Sequence, residues 1–104
     1  MKGRAELKTI RVKVRTLDTI LATHRPDLEA VDLLVVDVEG WELNVMRGFS
    51  SERYRPKVVV LENLFDEQAY IQYMRSIGYE RTLRLGPNDI YARDTHIRND
   101  LDAA

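Results

Sequence analysis

The 104-residue sequence contains no cysteine, which excludes disulfide bonds, thiolate zinc sites and cysteine nucleophiles and fits an expected cytoplasmic location. It also lacks an excess of charge, because 16 basic and 17 acidic residues leave a net charge of −1. We therefore expect no nucleic-acid partner and no anionic membrane surface as partner. Its longest apolar runs, residues 33–36 and 58–61, are too short to span a bilayer. The polar first six residues predict no secretory signal.

Hydrophobic periodicity in the first third of the chain predicts a strand followed by a helix. Apolar and basic residues alternate over residues 10–14, which indicates a strand with one buried and one solvated face. Thr16 or Asp18 can cap the helix that follows, because both side chains accept hydrogen bonds from free backbone amides. Pro26 is expected to end this helix.

The centre of the chain predicts a β-α-β unit. Residues 31–36 and 57–62 are apolar on both faces, which is typical of strands buried on both sides. Apolar residues at helical spacing predict a helix over residues 41–49 between them. Since the connection contains a helix, the two strands are expected to be parallel.

The C-terminal third predicts a further helix and a closing hairpin. The helix is expected over residues 66–77, with Gly78 in a left-handed cap. Residues 79–85 and 89–93 then pair as antiparallel strands around a turn at residues 86–88. Residues 94–104 have little to bury and should fray. Taken together, residues 1–104 are interpreted as a single partial α/β domain.

Carboxylates collect where the two buried strands are expected to end. Asp37 follows the first strand and Glu62 ends the second, and ligands of open parallel sheets bind at that rim. Glu39 lies two residues beyond Asp37, so in an extended backbone both side chains point to the same side. Gly40 permits a sharp exit into the next helix, and Asn63 lies beside Glu62.

These acidic residues leave several roles open. A carboxylate could accept a hydrogen bond from a ribose hydroxyl or an ammonium group, act as a general base, or help to hold a divalent cation. Alternatively, Glu39 could favour the helix dipole and Asp37 could bond nearby amides. No histidine or lysine accompanies the carboxylates, so a metal-dependent hydrolase ranks last and no metal site is expected. Trp41 could line a pocket or pack partly buried.

Several segments, in this order and spacing, resemble the FkbM family of S-adenosylmethionine-dependent methyltransferases. The resemblance spans about residues 10–93 and implies a Rossmann-like sheet, of which this chain supplies the C-terminal half. It implies methyl transfer to an oxygen of a sugar, glycan or secondary metabolite. The segments that carry it are Thr16-Leu17-Asp18, residues 31–42 with Asp37-Val38-Glu39-Gly40, residues 45–49, residues 55–62 and Ile77-Gly78-Tyr79.

The resemblance also implies roles for single residues. Asp37, Glu39 and Gly40 match the family's Asp-x-Glu-Gly motif at the rim of the active site. We therefore expect Asp37 and Glu39 to be catalytic, and Asp37 and Gly40 to contact the cofactor. Val35 stands where the family commonly has a lysine, so the sequence departs from the family pattern at this position. The residues expected to contact the acceptor are Glu62, Asn63 and Trp41.

One part of the family pattern is missing from this sequence. None of the five glycines forms the Gly-x-Gly turn that would bring backbone close to the cofactor. We therefore expect a fragment that is inactive alone, does not bind S-adenosylmethionine by itself and depends on a missing N-terminal half. The alternative is a non-catalytic interaction module that forms homodimers through an exposed sheet edge.

Overall fold

The order of helices and strands follows the predicted α/β pattern. The computed structural model describes residues 15–93, so the predicted strand over residues 10–14 and the predicted frayed tail over residues 94–104 lie outside it. In chain order the elements are α1 (Leu17–His24), β1 (Leu33–Val36), α2 (Glu42–Arg47), α3 (Ser51–Tyr54), β2 (Val58–Glu62), α4 (Gln68–Ser76), β3 (Glu80–Leu85) and β4 (Asn88–Ala92).

The strands form one sheet in the order β1-β2-β4-β3. β1 and β2 are parallel, with Leu33 opposite Val58 and Val36 opposite Leu61. β3 and β4 form an antiparallel hairpin, and β4 also pairs with β2 in the antiparallel sense. This arrangement confirms the predicted parallel pair with a closing hairpin and is a partial Rossmann-like sheet.

One face of the sheet packs against the helices. Val36, Val59, Leu61 and Tyr91 point to that face and are at most 5% exposed. Fully burying an aliphatic side chain of this kind stabilises the fold by about 1.5–3 kcal/mol. Each helix of the described residues contributes to this core, whose buried members are Val36, Met46, Phe49, Tyr54, Val59, Leu61, Tyr70, Met74, Tyr79 and Tyr91, with Leu17 and Leu21 packed against them.

The prediction that both central strands are buried on both faces is wrong. Leu33 and Val35 of β1 are 57% and 59% exposed, and Val58 and Val60 of β2 are only partly buried. The core cluster to which the helices of residues 15–93 contribute lies on the opposite face, and the side chains of Leu33 and Val35 stay exposed on this one. An apolar run indicates that a surface needs covering but does not say which segment covers it.

Helix α1 begins as predicted, with Thr16 rather than Asp18 as its N-cap. The Thr16 hydroxyl accepts a hydrogen bond from the Thr19 amide at 3.2 Å. Asp18 instead accepts hydrogen bonds from the Ser50 amide at 2.7 Å and from the Ser50 hydroxyl. These bonds tie the first turn of α1 to the segment between α2 and α3.

The predicted helix over residues 41–49 is shorter than expected and is followed by a second one. α2 ends at Arg47, Gly48 follows it, and the one-turn helix α3 was not predicted. At Gly48 a Cβ atom would lie 3.0 Å from the Cβ of Thr16, so a side chain there would require Thr16 to shift. Gly78 ends α4 with a positive φ of 91°, which confirms the predicted left-handed cap.

Candidate active site at the carboxyl ends of β1 and β2

Asp37 and Glu62 lie side by side where the two parallel strands end. Val36 pairs with Leu61, so the residues that follow them, Asp37 and Glu62, are neighbours. Hydrogen bonding between the two carboxyl groups, followed by burial and charge repulsion, raises the pKa of Glu62 above its ordinary value. The structure thus brings together two carboxylates that lie 25 positions apart in the sequence, from 37 to 62.

Glu39 and Gly40 form a tight turn between β1 and α2. Both have positive φ, 50° for Glu39 and 101° for Gly40, and the Trp41 amide donates to the Val38 carbonyl at 3.3 Å. The prediction that Asp37 and Glu39 share a side of an extended backbone is therefore wrong. A non-glycine residue in this region is strained by roughly 1–3 kcal/mol and needs surrounding contacts to hold it.

Glu39 nevertheless faces the same cavity as Glu62. The cavity has a volume of about 490 Å³, which lies in the range of small-molecule sites. Carboxylates line one part of it, and exposed apolar side chains form its lip, with Phe65 80% exposed. Its lining residues are Glu39, Gly40, Glu42, Glu62, Leu64, Phe65, Glu67 and Tyr70. Among residues 15–93, no three acidic or histidine side chains are arranged to hold a metal ion.

Glu42 is a residue of this site that the sequence analysis missed. Its side chain is fully buried and its carboxylate accepts hydrogen bonds from the Val38 amide at 2.9 Å and the Gly40 amide at 3.1 Å. The Tyr70 hydroxyl of α4 donates to the same carboxylate at 2.8 Å. The position of Glu42 in the first turn of α2 could have predicted this role, because a glutamate there often accepts hydrogen bonds from amides that precede the helix.

The charge of Glu42 is retained despite its burial. Burial alone would raise the pKa of Glu42, but hydrogen bonds from Tyr70, Val38 and Gly40 outweigh it and hold the pKa below its ordinary value. Burial and the bond to Glu42 raise the pKa of the Tyr70 hydroxyl. At neutral pH the pair is therefore a carboxylate that accepts from a neutral phenol.

Asn63 points away from the cavity into a polar interior. Its side-chain amide donates to Asp89 Oδ2 at 2.8 Å and to the Glu67 carbonyl at 3.1 Å. Its side-chain oxygen accepts from the Glu67 amide at 2.8 Å. These bonds hold the start of α4, so the observed contacts of Asn63 are structural, and its contact with an acceptor stays a prediction.

Trp41 faces a second cavity rather than the acidic one. Its side chain is 65% exposed, and the turn at residues 38–41 separates the two cavities. The second cavity has a volume of about 450 Å³ and is mainly apolar; it is lined by Arg15, Thr16, Leu17, Ile20, Trp41, Asn44, Val45 and Gly48. An acceptor contact of Trp41 stays a prediction, and it would involve this second surface.

An open α/β sheet with acidic residues at the carboxyl ends of its parallel strands is typical of enzymes that bind small molecules there. Residues 2–81 match the family described as the Methyltransferase FkbM domain. Because the match covers more than half of the sequence, the chain belongs to the FkbM methyltransferase family, as the resemblance predicted. No curated protein matches the chain, and no solved structure does. No helix among residues 15–93 is long and apolar enough to cross a membrane.

Proposed function

We propose that this chain takes part in S-adenosylmethionine-dependent methyl transfer to a hydroxyl oxygen of a sugar or a secondary metabolite. Family membership supports the transfer of a methyl group. The observation that carries the choice of a hydroxyl acceptor is the placement of Asp37 and Glu62 next to each other at the strand ends, with Glu62 lining the acidic cavity. A hydroxyl that is methylated loses a proton, and a carboxylate within reach can accept it.

The residues at the acidic rim are suited to bind part of S-adenosylmethionine. The carboxylates of Asp37, Glu39 and Glu62 suit ribose hydroxyls and positive charge. Apart from Gly40 and its two chain neighbours, no residue has an atom within 4 Å of the position that a Cβ on Gly40 would take. The backbone cradle that a Gly-x-Gly turn provides does not occur in this sequence. We therefore propose that binding of S-adenosylmethionine needs a second polypeptide segment that carries such a turn.

When bound, the cofactor supplies a sulfonium methyl group, which is already a reactive donor. The Asp37–Glu62 pair would accept the proton that the acceptor hydroxyl loses when its oxygen takes the methyl group. The raised pKa of Glu62 makes it a stronger base than an ordinary glutamate. Asp37 and Glu39 position the hydroxyl and the cofactor, and proximity contributes most of the rate.

The experiment follows transfer of a radiolabelled methyl group from S-adenosylmethionine to monosaccharides and polyols. The chain is assayed alone and after co-expression with the polypeptide encoded directly upstream. We expect transfer only in the co-expressed sample, with at least about a hundredfold loss in Glu62→Gln, because a positioned general base contributes about 10²–10⁴-fold. Asp32→Asn is the matched control, since Asp32 is an exposed carboxylate at the opposite end of β1.

Two results would contradict the proposal. The first is transfer at the wild-type rate in Asp37→Asn and Glu62→Gln alike. The second is a co-expressed complex that binds S-adenosylmethionine in calorimetry but methylates no hydroxyl. Micromolar binding of S-adenosylmethionine by the isolated chain would instead show that no second segment is required.

A second function, dimerisation, is favoured by the exposure of β1. This strand lies at the edge of the described sheet, and its side chains Leu33 and Val35 are more than half exposed. An uncovered edge offers backbone amides and carbonyls that another strand can pair with. We propose that in the absence of the second segment a second copy of the chain pairs along this edge.

Sedimentation velocity tests this pairing. We expect a dimer for the wild-type chain and a monomer for Leu33→Lys, because a lysine on an edge strand disfavours pairing with a second strand. Leu85→Lys is the matched control, since Leu85 is also 57% exposed but lies at the tip of the β3–β4 hairpin. A wild-type chain that sediments as a monomer at every concentration would exclude dimerisation.

A further inference from the structure

We propose that Glu42 and Tyr70 act as a positioning pair that holds the Asp37–Trp41 loop in the geometry methyl transfer requires. This inference rests on the proposed function, because the loop carries the residues assigned to that reaction. Neither Glu42 nor Tyr70 is assigned a step with the acceptor or the cofactor. Their role is to act through Asp37, Glu39 and Gly40.

The contacts of Glu42 define the pair. The carboxylate binds the amides on both sides of Glu39, from Val38 at 2.9 Å and from Gly40 at 3.1 Å. Both carboxylate oxygens are used, because the Val38 amide bonds Oε2 and the Gly40 amide bonds Oε1. A neutral glutamine has a single acceptor oxygen and cannot reproduce this pattern.

The loop needs such a restraint because its backbone is strained. Glu39 has a φ of 50°, a conformation that non-glycine residues keep only where surrounding contacts impose it. The two amides held by Glu42 flank this residue. The bonds to Glu42 therefore determine the direction in which the Glu39 side chain leaves the turn toward the cavity.

Tyr70 connects the same carboxylate to the other wall of the cavity. It lies in α4 and is 5% exposed, and its hydroxyl donates to Glu42 Oε1 at 2.8 Å. Glu62 and Phe65, which also line the cavity, belong to β2 and to the segment that leads into α4. The pair thus sets the spacing between the Asp37–Trp41 loop and the wall formed by β2 and α4.

Tyr70→Phe is the main test variant, because it removes one hydrogen bond and keeps both the aromatic ring and the Glu42 side chain. Glu42→Gln is the second variant; it also removes a charge that itself helps to raise the pKa of Glu62. Tyr79→Phe is the matched control. Tyr79 is fully buried and its hydroxyl donates to the Pro56 carbonyl at 2.6 Å, away from the loop.

The first measurement is amide hydrogen exchange of Val38 and Gly40 by NMR. We expect both amides to exchange at least about tenfold faster in Glu42→Gln and also faster in Tyr70→Phe, since bonds to a charged group are the stronger ones. Tyr79→Phe should leave them within about twofold of wild type. If the two amides exchange equally fast in the Tyr79→Phe control, the pair does not restrain the loop. The same conclusion follows if exchange is accelerated in neither Glu42→Gln nor Tyr70→Phe.

The second measurement separates positioning from general stability. In the complex that transfers methyl groups, Tyr70→Phe should lower kcat about tenfold and leave KM for the acceptor within about twofold, because the loop is misplaced while the cavity remains. An unchanged kcat would overturn the functional part of the inference. If the wild type transfers no methyl group at all, the proposed function fails, while the exchange data still decide whether the pair restrains the loop.

Discussion

Asp37 and Glu62 are neighbours across the sheet, one residue beyond the last register pair of β1 and β2. Parallel pairing is the cause, because it brings the carboxyl ends of both strands to the same edge of the sheet. Two neighbouring carboxylates cannot both ionise as easily as one alone. This arrangement therefore makes the acidic rim a place where a proton is held more tightly than on an ordinary glutamate.

The first prediction concerns pH. Folding raises the pKa of Glu62 above its ordinary value of 4.5, so the folded state binds this proton more tightly than the unfolded state. The resulting stabilisation is complete below about pH 4.5 and is lost as the pH rises through the raised pKa. In Asp37→Asn we expect the pKa of Glu62 to fall and this loss of stability to shrink. Carboxyl NMR titration and urea unfolding between about pH 4 and pH 8 measure both.

Glu29→Gln serves as the control for this titration, because Glu29 is an exposed carboxylate in the loop between α1 and β1. It should leave the pKa of Glu62 and the pH profile as they are in wild type. A pKa of Glu62 that stays raised in Asp37→Asn would contradict the assigned cause.

A second prediction concerns the buried carboxylate of Asp89 in β4. Burial by itself would raise the pKa of Asp89, but hydrogen bonds from neighbouring side chains outweigh it and lower the pKa below its ordinary value. Stability from this group is therefore present above the unfolded pKa of 3.8 and is lost as the pH falls through the lowered value. The donors are Asn63 at 2.8 Å, Arg84 at 2.8 Å, Tyr91 at 3.0 Å and Arg81 at 3.2 Å.

Asp89→Asn should lower the free energy of unfolding by about 3 kcal/mol, because it leaves two arginines near a neutral group in a buried network. It should also remove the loss of stability at acid pH. Asp66→Asn is the comparison, since Asp66 pairs with Arg81 at 2.6 Å but is half exposed, and we expect it to cost at most about 1 kcal/mol. Equal costs for the two variants in urea unfolding would refute the role given to burial.

A third prediction isolates the backbone strain at Glu39. Glu39→Gly and Glu39→Ala both remove the carboxylate, but glycine adopts the left-handed conformation without steric cost. We expect Glu39→Gly to be more stable than Glu39→Ala by about 1 kcal/mol. At Glu52, in the right-handed helix α3, we expect the alanine variant to be more stable than the glycine variant by a similar free energy. Thermal unfolding of the four variants gives the comparison, and the same order at both positions would contradict the strain.

A fourth prediction concerns the contact between α1 and the end of α2. In Gly48→Ala the new methyl group would lie 3.0 Å from the Cβ and 3.1 Å from the Cγ2 of Thr16, so we expect a loss of about 1–3 kcal/mol. Thr16→Gly should cost only a few tenths of a kcal/mol as a cap change. The loss of unfolding free energy in the double variant should therefore be smaller than the sum of the losses in the two single variants. Strict additivity in urea unfolding would show that the two residues do not touch.

Apart from the one-turn helix α3, the sequence alone determined the order of the described elements, together with the parallel pair and the closing hairpin. These features follow from periodicity over neighbouring residues, which records where a strand or helix begins and ends. It also determined that Asp37 and Glu62 would lie at one rim, because strand ends and parallel pairing were enough to place them there. The family resemblance pointed to the same residues through their motif, and the family match confirmed the membership.

The tertiary structure decided which way individual side chains point and what covers them. The left-handed turn redirected Glu39, Asn63 turned into the bonds that start α4, and Trp41 came to line a second cavity. Glu42 became a buried partner of Tyr70, a contact between residues 28 positions apart. Periodicity carries no information about such contacts, because they depend on backbone angles at a few turn residues and on the packing of elements that are distant in the chain.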